Sequence, residues 1–144
     1  MTNELKVKND MAEVERIRIF LKENLKESNL SDKDFYRIEV SILEIVLNII
    51  RYAYPQEEGD ILIRTWQKEG KVFFEIRDNG IPFDPRKAEL PDIKELIRNE
   101  KVGGLGIFLS RKLMDGFEYK RESNQNILTM YKRIEKAKAS DSSV

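Results

Sequence analysis

The sequence predicts an α+β fold: a two-layer sandwich with a mostly antiparallel mixed sheet and helices on one face. Three observations predict it. Apolar period switches along the chain in the order strand, helix, helix, strand, strand, loop, helix, strand, strand. That order lacks the regular strand–helix–strand alternation of a parallel sheet. Two of the strand pairs are separated by short turn sequences, Lys68-Glu69-Gly70 and Ser123-Asn124-Gln125-Asn126, as antiparallel hairpins require. The chain has 144 residues, 40% of them hydrophobic, enough for one packed core. We therefore expect one domain over residues 1–135 and a small, polar, frayed tail over 136–144.

Each element follows from local chemistry. Glu4-Leu5-Lys6-Val7-Lys8 alternates as a short exposed strand does. Asp10 can cap a first helix, with Glu13 three residues on and Met11, Val14, Ile17, Leu21 and Leu25 at helical spacing. Ser31 is a good N-cap for a second helix, with Asp32 and Asp34 in its first turn. Phe35, Ile38, Ile42, Ile45, Val46, Ile49 and Ala53 form its apolar face and Pro55 stops it. Asp60 to Trp66 and Lys71 to Arg77 read as a hairpin. The stretch from Asp78 to Val102 has loop chemistry at its ends, with a short helix around Ile93, Leu96 and Ile97; long loops of this kind tend to be functional lids. Gly103-Gly104-Leu105-Gly106 opens a third helix, Ile107 to Met114, closed by Gly116. Phe117 to Arg121 and Ile127 to Ile134 form the last hairpin.

Composition removes several function classes. Lys+Arg and Asp+Glu both number 26, which argues against a broad basic surface for nucleic acid. There is no Cys and no His. Disulfides, Cys/His zinc sites, a Ser-His-Asp triad and a phosphohistidine on this chain are thereby excluded. A metal would need oxygen or amide ligands, which suits Mg²⁺. No apolar run has the length of a membrane span, and Met1 to Lys6 lacks the apolar stretch of a signal peptide. The expected location is the cytosol.

Three constellations can carry chemistry. Glu44 and Asn48 lie one turn apart on one face of the second helix, with Arg51 close to the same line. An amide oxygen can meet a metal and a carboxylate can accept a proton; the alternative is a solvated helix face. Asp78-Asn79-Gly80 ends a strand whose period places Val72, Phe74, Ile76 and Asp78 on one face. A carboxylate there needs a donor, such as an adenine amino group; the alternative is ordinary turn chemistry. Gly103, Gly104, Leu105 and Gly106 precede a helix whose free N–H groups suit a phosphate; the alternative is a crossover that needs small residues.

In order and context these segments resemble the histidine-kinase-like ATPase superfamily of Bergerat fold. Glu44-Ile-Val-Leu-Asn48 is similar to its N-box, Asp78 to Pro85 to its first glycine box, and Gly103 to Leu109 to its second. The Asn79-Gly80-Ile81-Pro82-Phe83-Asp84 wording, and the glycine run followed by Leu113-Met114-Asp115, most resemble the bacterial anti-sigma-factor serine/threonine kinases. The resemblance spans about Met11 to Lys132. It implies that Asn48 coordinates Mg²⁺ and that Glu44 is the general base. It implies that Asp78 accepts from adenine, that Gly80 leaves room for the base, and that Gly104 and Gly106 let an ATP lid wrap the triphosphate. It further implies a serine or threonine substrate on an anti-anti-sigma (STAS-domain) protein, a sigma factor held inactive, and a homodimer. Tyr52 stands where the family often has His, and Gln125-Asn126-Ile127-Leu128-Thr129 lacks the Gly of a Gly-Thr pair, which Thr129 matches only after a shift of register. A nucleotide-dependent binding module without turnover, such as a phosphatase activator, and a scaffold without nucleotide are the rival readings.

Overall fold

The computed structural model describes residues 2–54, 57–82 and 110–134. Strand β1 (Asn3–Lys8) leads through a single 3₁₀ turn (Met11–Glu13) into helix α1 (Val14–Leu25). Helix α2 (Asp32–Asn48) continues as a π-helical turn (Ile49–Ala53). Strands β2 (Asp60–Lys68) and β3 (Lys71–Asp78) follow, then β4 (Gly116–Glu122) and β5 (Gln125–Arg133).

The five strands form one sheet in the order β1-β2-β3-β5-β4, with every pairing antiparallel. The described sheet thus contains no parallel pair and is more uniform than the mixed sheet expected. Alternation along β3 buries Val72, Phe74, Ile76 and Asp78 on a single face. That face meets Ile17, Leu21 and Leu25 of α1 and Ile38, Ile42, Ile45 and Val46 of α2 in one continuous core. Burying an aliphatic side chain of this size stabilises by about 1.5–3 kcal/mol, so the core decides which way each strand faces.

Helix ends follow the capping chemistry, with one difference. The Ser31 hydroxyl accepts from the Asp34 amide at 3.0 Å. Asp10 caps as expected, accepting from Ala12 N at 2.9 Å, but Glu13 binds Arg16 at 2.6 Å instead of reaching back. The first turn is 3₁₀, so Met11 is carried out of the apolar face and is 55% exposed. Both hairpins use two-residue turns with positive φ at each centre, 52° and 74° at Glu69 and Gly70, 51° and 63° at Ser123 and Asn124. Such turns match the twist of the flanking strands. The second turn is therefore shorter than expected, and Gln125 and Asn126 belong to β5.

Residues 110–113 are helical. Their position is fixed by polar ties: Ser110 Oγ donates to Ser41 O at 3.2 Å, and the buried Lys132 Nζ donates to Leu113 O at 3.2 Å. Lys132 also lies 3.5 Å from Asp115 and 3.9 Å from Asp34. Gly116 does not cap this helix in a left-handed conformation; it opens β4, and a Cβ there would overlap the Tyr131 ring. The expected lid with its helix near Ile93, the start of the third helix and the tail from Lys136 lie outside the described residues. Among the described residues no helix is long and apolar enough to cross a membrane.

Candidate functional site

The end of α2, the tip of β3 and the β4–β5 hairpin line a hollow that is open to solvent. Ile45, Asn48, Ile49, Tyr52 and Ala53 line it from α2 and the π turn. Ile76, Asp78 and Ile81 line the sheet side, and Tyr119, Asn126 and Leu128 the hairpin side. The lining is mainly apolar with a few polar groups converging on it, the usual character of a small-ligand site.

Asn48 is 7% exposed. Its Nδ2 is buried and has no hydrogen-bond partner among the described residues. An unpaired buried donor costs about 1–3 kcal/mol, and the fold carries that cost at a point lining the hollow. A ligand with acceptor oxygens, such as a phosphate, supplies what this amide lacks. The other end of the amide is an oxygen suited to Mg²⁺. Among the described residues no group of three or more carboxylate, His or Cys side chains could hold a metal without help. A metal here would therefore lean on Asn48 and on ligand oxygens, and the residues present fit that arrangement.

Asp78 is 5% exposed. Its Oδ1 accepts from Gly80 N at 2.9 Å and from Asn126 Nδ2 at 2.9 Å. Burial pushes its carboxyl above the usual range, opposed by these two hydrogen bonds and by the charge of Arg121. Gly80 stands beside the hollow because it packs on the π turn: a Cβ would overlap the carbonyl oxygen and Cβ of Ala53. Its missing side chain makes room for Ala53, a role that the expected contact with adenine did not include.

The π turn replaces the α-helical continuation expected to Ala53. Its end is held by tertiary bonds: Ala53 O accepts from Ile81 N at 2.9 Å. The Tyr54 hydroxyl donates to Asp60 O at 2.7 Å and accepts from Asn79 N at 2.6 Å. Burial pushes that hydroxyl's pKa up, with the Asn79 N–H opposing. The helix end and the Asp78-Asn79-Gly80 segment are thus one unit. Inserted π turns often sit at functional sites.

The structure therefore brings Asn48 and Asp78 to one hollow, with Gly80 against its wall. Glu44 is half-buried one turn before Asn48, and Arg51 is exposed on the π turn; neither lines the hollow among the described residues. Gly103, Gly104, Leu105 and Gly106 lie outside the described residues. Thr129 pairs with Glu75 and is partly exposed. No shift of register carries it toward Asp78, whose partner across the sheet is Asn126. Asn126, 6% exposed, is the residue that sequence reasoning missed. Its Nδ2 also donates to Ile81 O at 2.8 Å, while its Oδ1 accepts from Tyr119 at 2.6 Å and Arg121 at 3.2 Å. Arg121 in turn donates to Gly80 O at 2.8 Å. The usable signal was period two, which sets Asn126 in line with Leu128 and Met130.

Comparison with known proteins agrees with this geometry. Residues 7–132 match the family model described as the histidine kinase-like ATPase domain. The chain is 31% identical over 100 residues to serine-protein kinase RsbW of Listeria monocytogenes, covering 65% of this chain and 64% of that one. It is 28% identical over 99 residues to the RsbW of Bacillus thuringiensis, covering 66% and 62%. The chain thus spans a little over three-fifths of the length of these relatives. Its fold superposes on the RsbU and RsbW domains of Rv1364c from Mycobacterium tuberculosis with a TM-score of 0.67 at 16% identity, covering 93% of this chain and 32% of that one. It matches the catalytic domain of histidine kinase ThkA with a TM-score of 0.54 at 16% identity, covering 93% and 96%. A hollow with an orphaned amide and a buried carboxylate on this sheet topology, together with a family match over most of the chain, leads to one conclusion: the chain belongs to the histidine kinase-like ATPase domain family.

Proposed function

We propose that this chain is an anti-sigma-factor serine/threonine kinase that binds ATP with Mg²⁺ in the hollow. The observation that carries the reading is the pairing of Asn48 and Asp78. One offers an unsatisfied amide to phosphate and metal, the other a buried acceptor to the base, and both line one apolar hollow. Similarity to the RsbW serine-protein kinases supplies the reaction class. The γ-phosphoryl group would pass to a Ser or Thr of an anti-anti-sigma (STAS-domain) protein, and the same chain, as a homodimer in the cytosol, would hold a sigma factor inactive.

Phosphoryl transfer depends chiefly on positioning and charge neutralisation. Bound Mg²⁺ would supply charge neutralisation on the phosphates. Asn48 holds the phosphate end, Asp78 fixes the base, and Glu44, one turn above Asn48, takes the proton of the attacking hydroxyl. Arg51 on the π turn adds a cation beside the phosphates, and the Gly103-Gly104-Leu105-Gly106 run adds backbone N–H donors. The test is incubation of the chain with labelled ATP, Mg²⁺ and a STAS-domain substrate. Phosphate should appear on a Ser or Thr of the substrate. Glu44→Gln should keep ATP affinity within about threefold and lower the transfer rate by about 10²–10⁴-fold, the usual worth of a general base. Transfer at the wild-type rate by this variant removes Glu44 from the mechanism. ATP binding with no transfer by the wild-type chain assigns it instead as an ATP-dependent partner-binding module.

A further inference from the structure

We propose that Asn126 sets the base preference of the hollow by leaving Asp78 a single open acceptor oxygen, which matches adenine and mismatches guanine. The inference rests on the nucleotide reading above and adds a residue that the reading does not need.

The argument starts from lone pairs. A carboxylate oxygen has two acceptor positions. Both positions of Asp78 Oδ1 are taken, by Gly80 N and by Asn126 Nδ2, each at 2.9 Å. Asp78 Oδ2 has no hydrogen-bond partner among the described residues. The orientation of the Asn126 amide is dictated by its surroundings. Its Oδ1 faces two donors, Tyr119 Oη and Arg121, and its Nδ2 faces two acceptors, Asp78 Oδ1 and Ile81 O. A flipped amide would set oxygen against oxygen at Asp78 and at Ile81. The network therefore holds the NH₂ end on Asp78, and Asn126 is too buried for water to compete.

Adenine presents one amino donor beside a ring acceptor, so a single carboxylate oxygen satisfies it. Guanine presents a ring N–H and an amino N–H side by side, a pair that fits a carboxylate with both oxygens open. With Oδ1 saturated, guanine loses the second bond and must bury an unpaired donor. Sites built around a hydrogen bond reject ligands that cannot complete it. Asn126 touches Asp78 and lines the hollow, so it acts on specificity through Asp78 as a positioning residue.

The experiment is calorimetric titration of the full chain with ATP–Mg²⁺ and with GTP–Mg²⁺. The proteins compared are wild type, Asn126→Thr and Asn126→Val. The two variants have nearly the same shape and both suit a buried strand position; only the threonine carries a hydroxyl donor, which can meet Asp78 Oδ1 directly or through one bridging water. Wild type should favour ATP by about tenfold or more, the worth of one hydrogen bond to a charged group. Asn126→Thr should keep that preference, whereas Asn126→Val should bring the ATP-to-GTP ratio below about threefold. A purely structural residue would weaken both nucleotides alike and leave the ratio unchanged. Equal affinity of wild type for the two nucleotides, or an unchanged ratio in Asn126→Val, overturns the inference while leaving the nucleotide reading standing. If wild type binds neither nucleotide, that reading falls and takes this one with it.

Discussion

Replacing Tyr54 by Phe deletes one oxygen atom and, with it, the tie between the π turn and the Asp78-Asn79-Gly80 segment. The hydroxyl serves two bonds, 2.7 Å to Asp60 O and 2.6 Å from Asn79 N. Each net hydrogen bond contributes about 0.5–1.5 kcal/mol, so the pair contributes about 1–3 kcal/mol. The ring stays, because its packing against Gly59 needs no oxygen, and no large cavity opens. Unfolding entropy of about 2.1 cal/mol/K per residue makes 1 kcal/mol worth about 3–4 °C in a chain of this size. Tyr54→Phe should therefore melt about 3–10 °C below wild type, read by circular dichroism. Native-state hydrogen exchange supplies the local test. The Asn79 amide should exchange about tenfold faster or more while amides at the middle of β3 change only by the global loss. Nucleotide affinity should fall with it, since Asn79 lies between Asp78 and Gly80. A melting point within about 1 °C of wild type, together with unchanged exchange at Asn79, would refute the claim that this hydroxyl joins the two segments.

Asp78→Asn keeps an oxygen for Gly80 N and Asn126 Nδ2 but removes a buried charge. The raised carboxyl favours the folded state most below its ordinary value of 3.8, and that contribution is lost as pH rises through the folded pKa. The variant should thus match wild type near pH 4 and be the more stable of the two at pH 7, with ATP affinity lost; melts across that range check the sign. Asn48→Ala removes a buried donor that has no partner among the described residues, so the nucleotide-free protein should unfold at an equal or higher urea concentration while Mg²⁺-dependent ATP binding weakens, by calorimetry, at least about tenfold. Gly80→Ala drives a methyl group into Ala53; overpacking of this kind costs about 1–3 kcal/mol, measurable by urea unfolding, and should weaken nucleotide binding through the displaced Asp78.

The sheet and the long helix were legible because their signals repeat. Four inward positions from Val72 to Asp78 fix the face of β3, and a capped, strongly periodic run fixes α2. The candidate site was legible only where residue type and position coincided, at Asn48 and Asp78. The burial of Asn48 could not be read, since a polar residue on a helix also suits a solvated face. Nor could the π turn, because Ile49, Ile50 and Ala53 continue the apolar period and what holds the turn's end comes from Ile81, far along the chain. Asn126 was hidden by its neighbours. Ser-Asn-Gln-Asn reads as turn chemistry throughout, and only backbone angles show that the turn is confined to Ser123 and Asn124. Tyr54 looked like the residue before a helix-stopping proline, and its hydroxyl partners, Asp60 O and Asn79 N, lie 6 and 25 residues further along the chain.

The strand written last is not the strand placed last. β5 lies between β3 and β4, so during synthesis β1, β2 and β3 emerge as three neighbouring strands with the β3 flank bare. That flank waits for nearly fifty more residues to leave the ribosome before a partner reaches it. Asp78 waits too, because its neighbour across the gap, Asn126, arrives only with the final hairpin. A truncated nascent chain would therefore offer an open β3 border and no ligand cradle, and the moment of closure would be the moment at which that border is covered and the protein becomes able to bind.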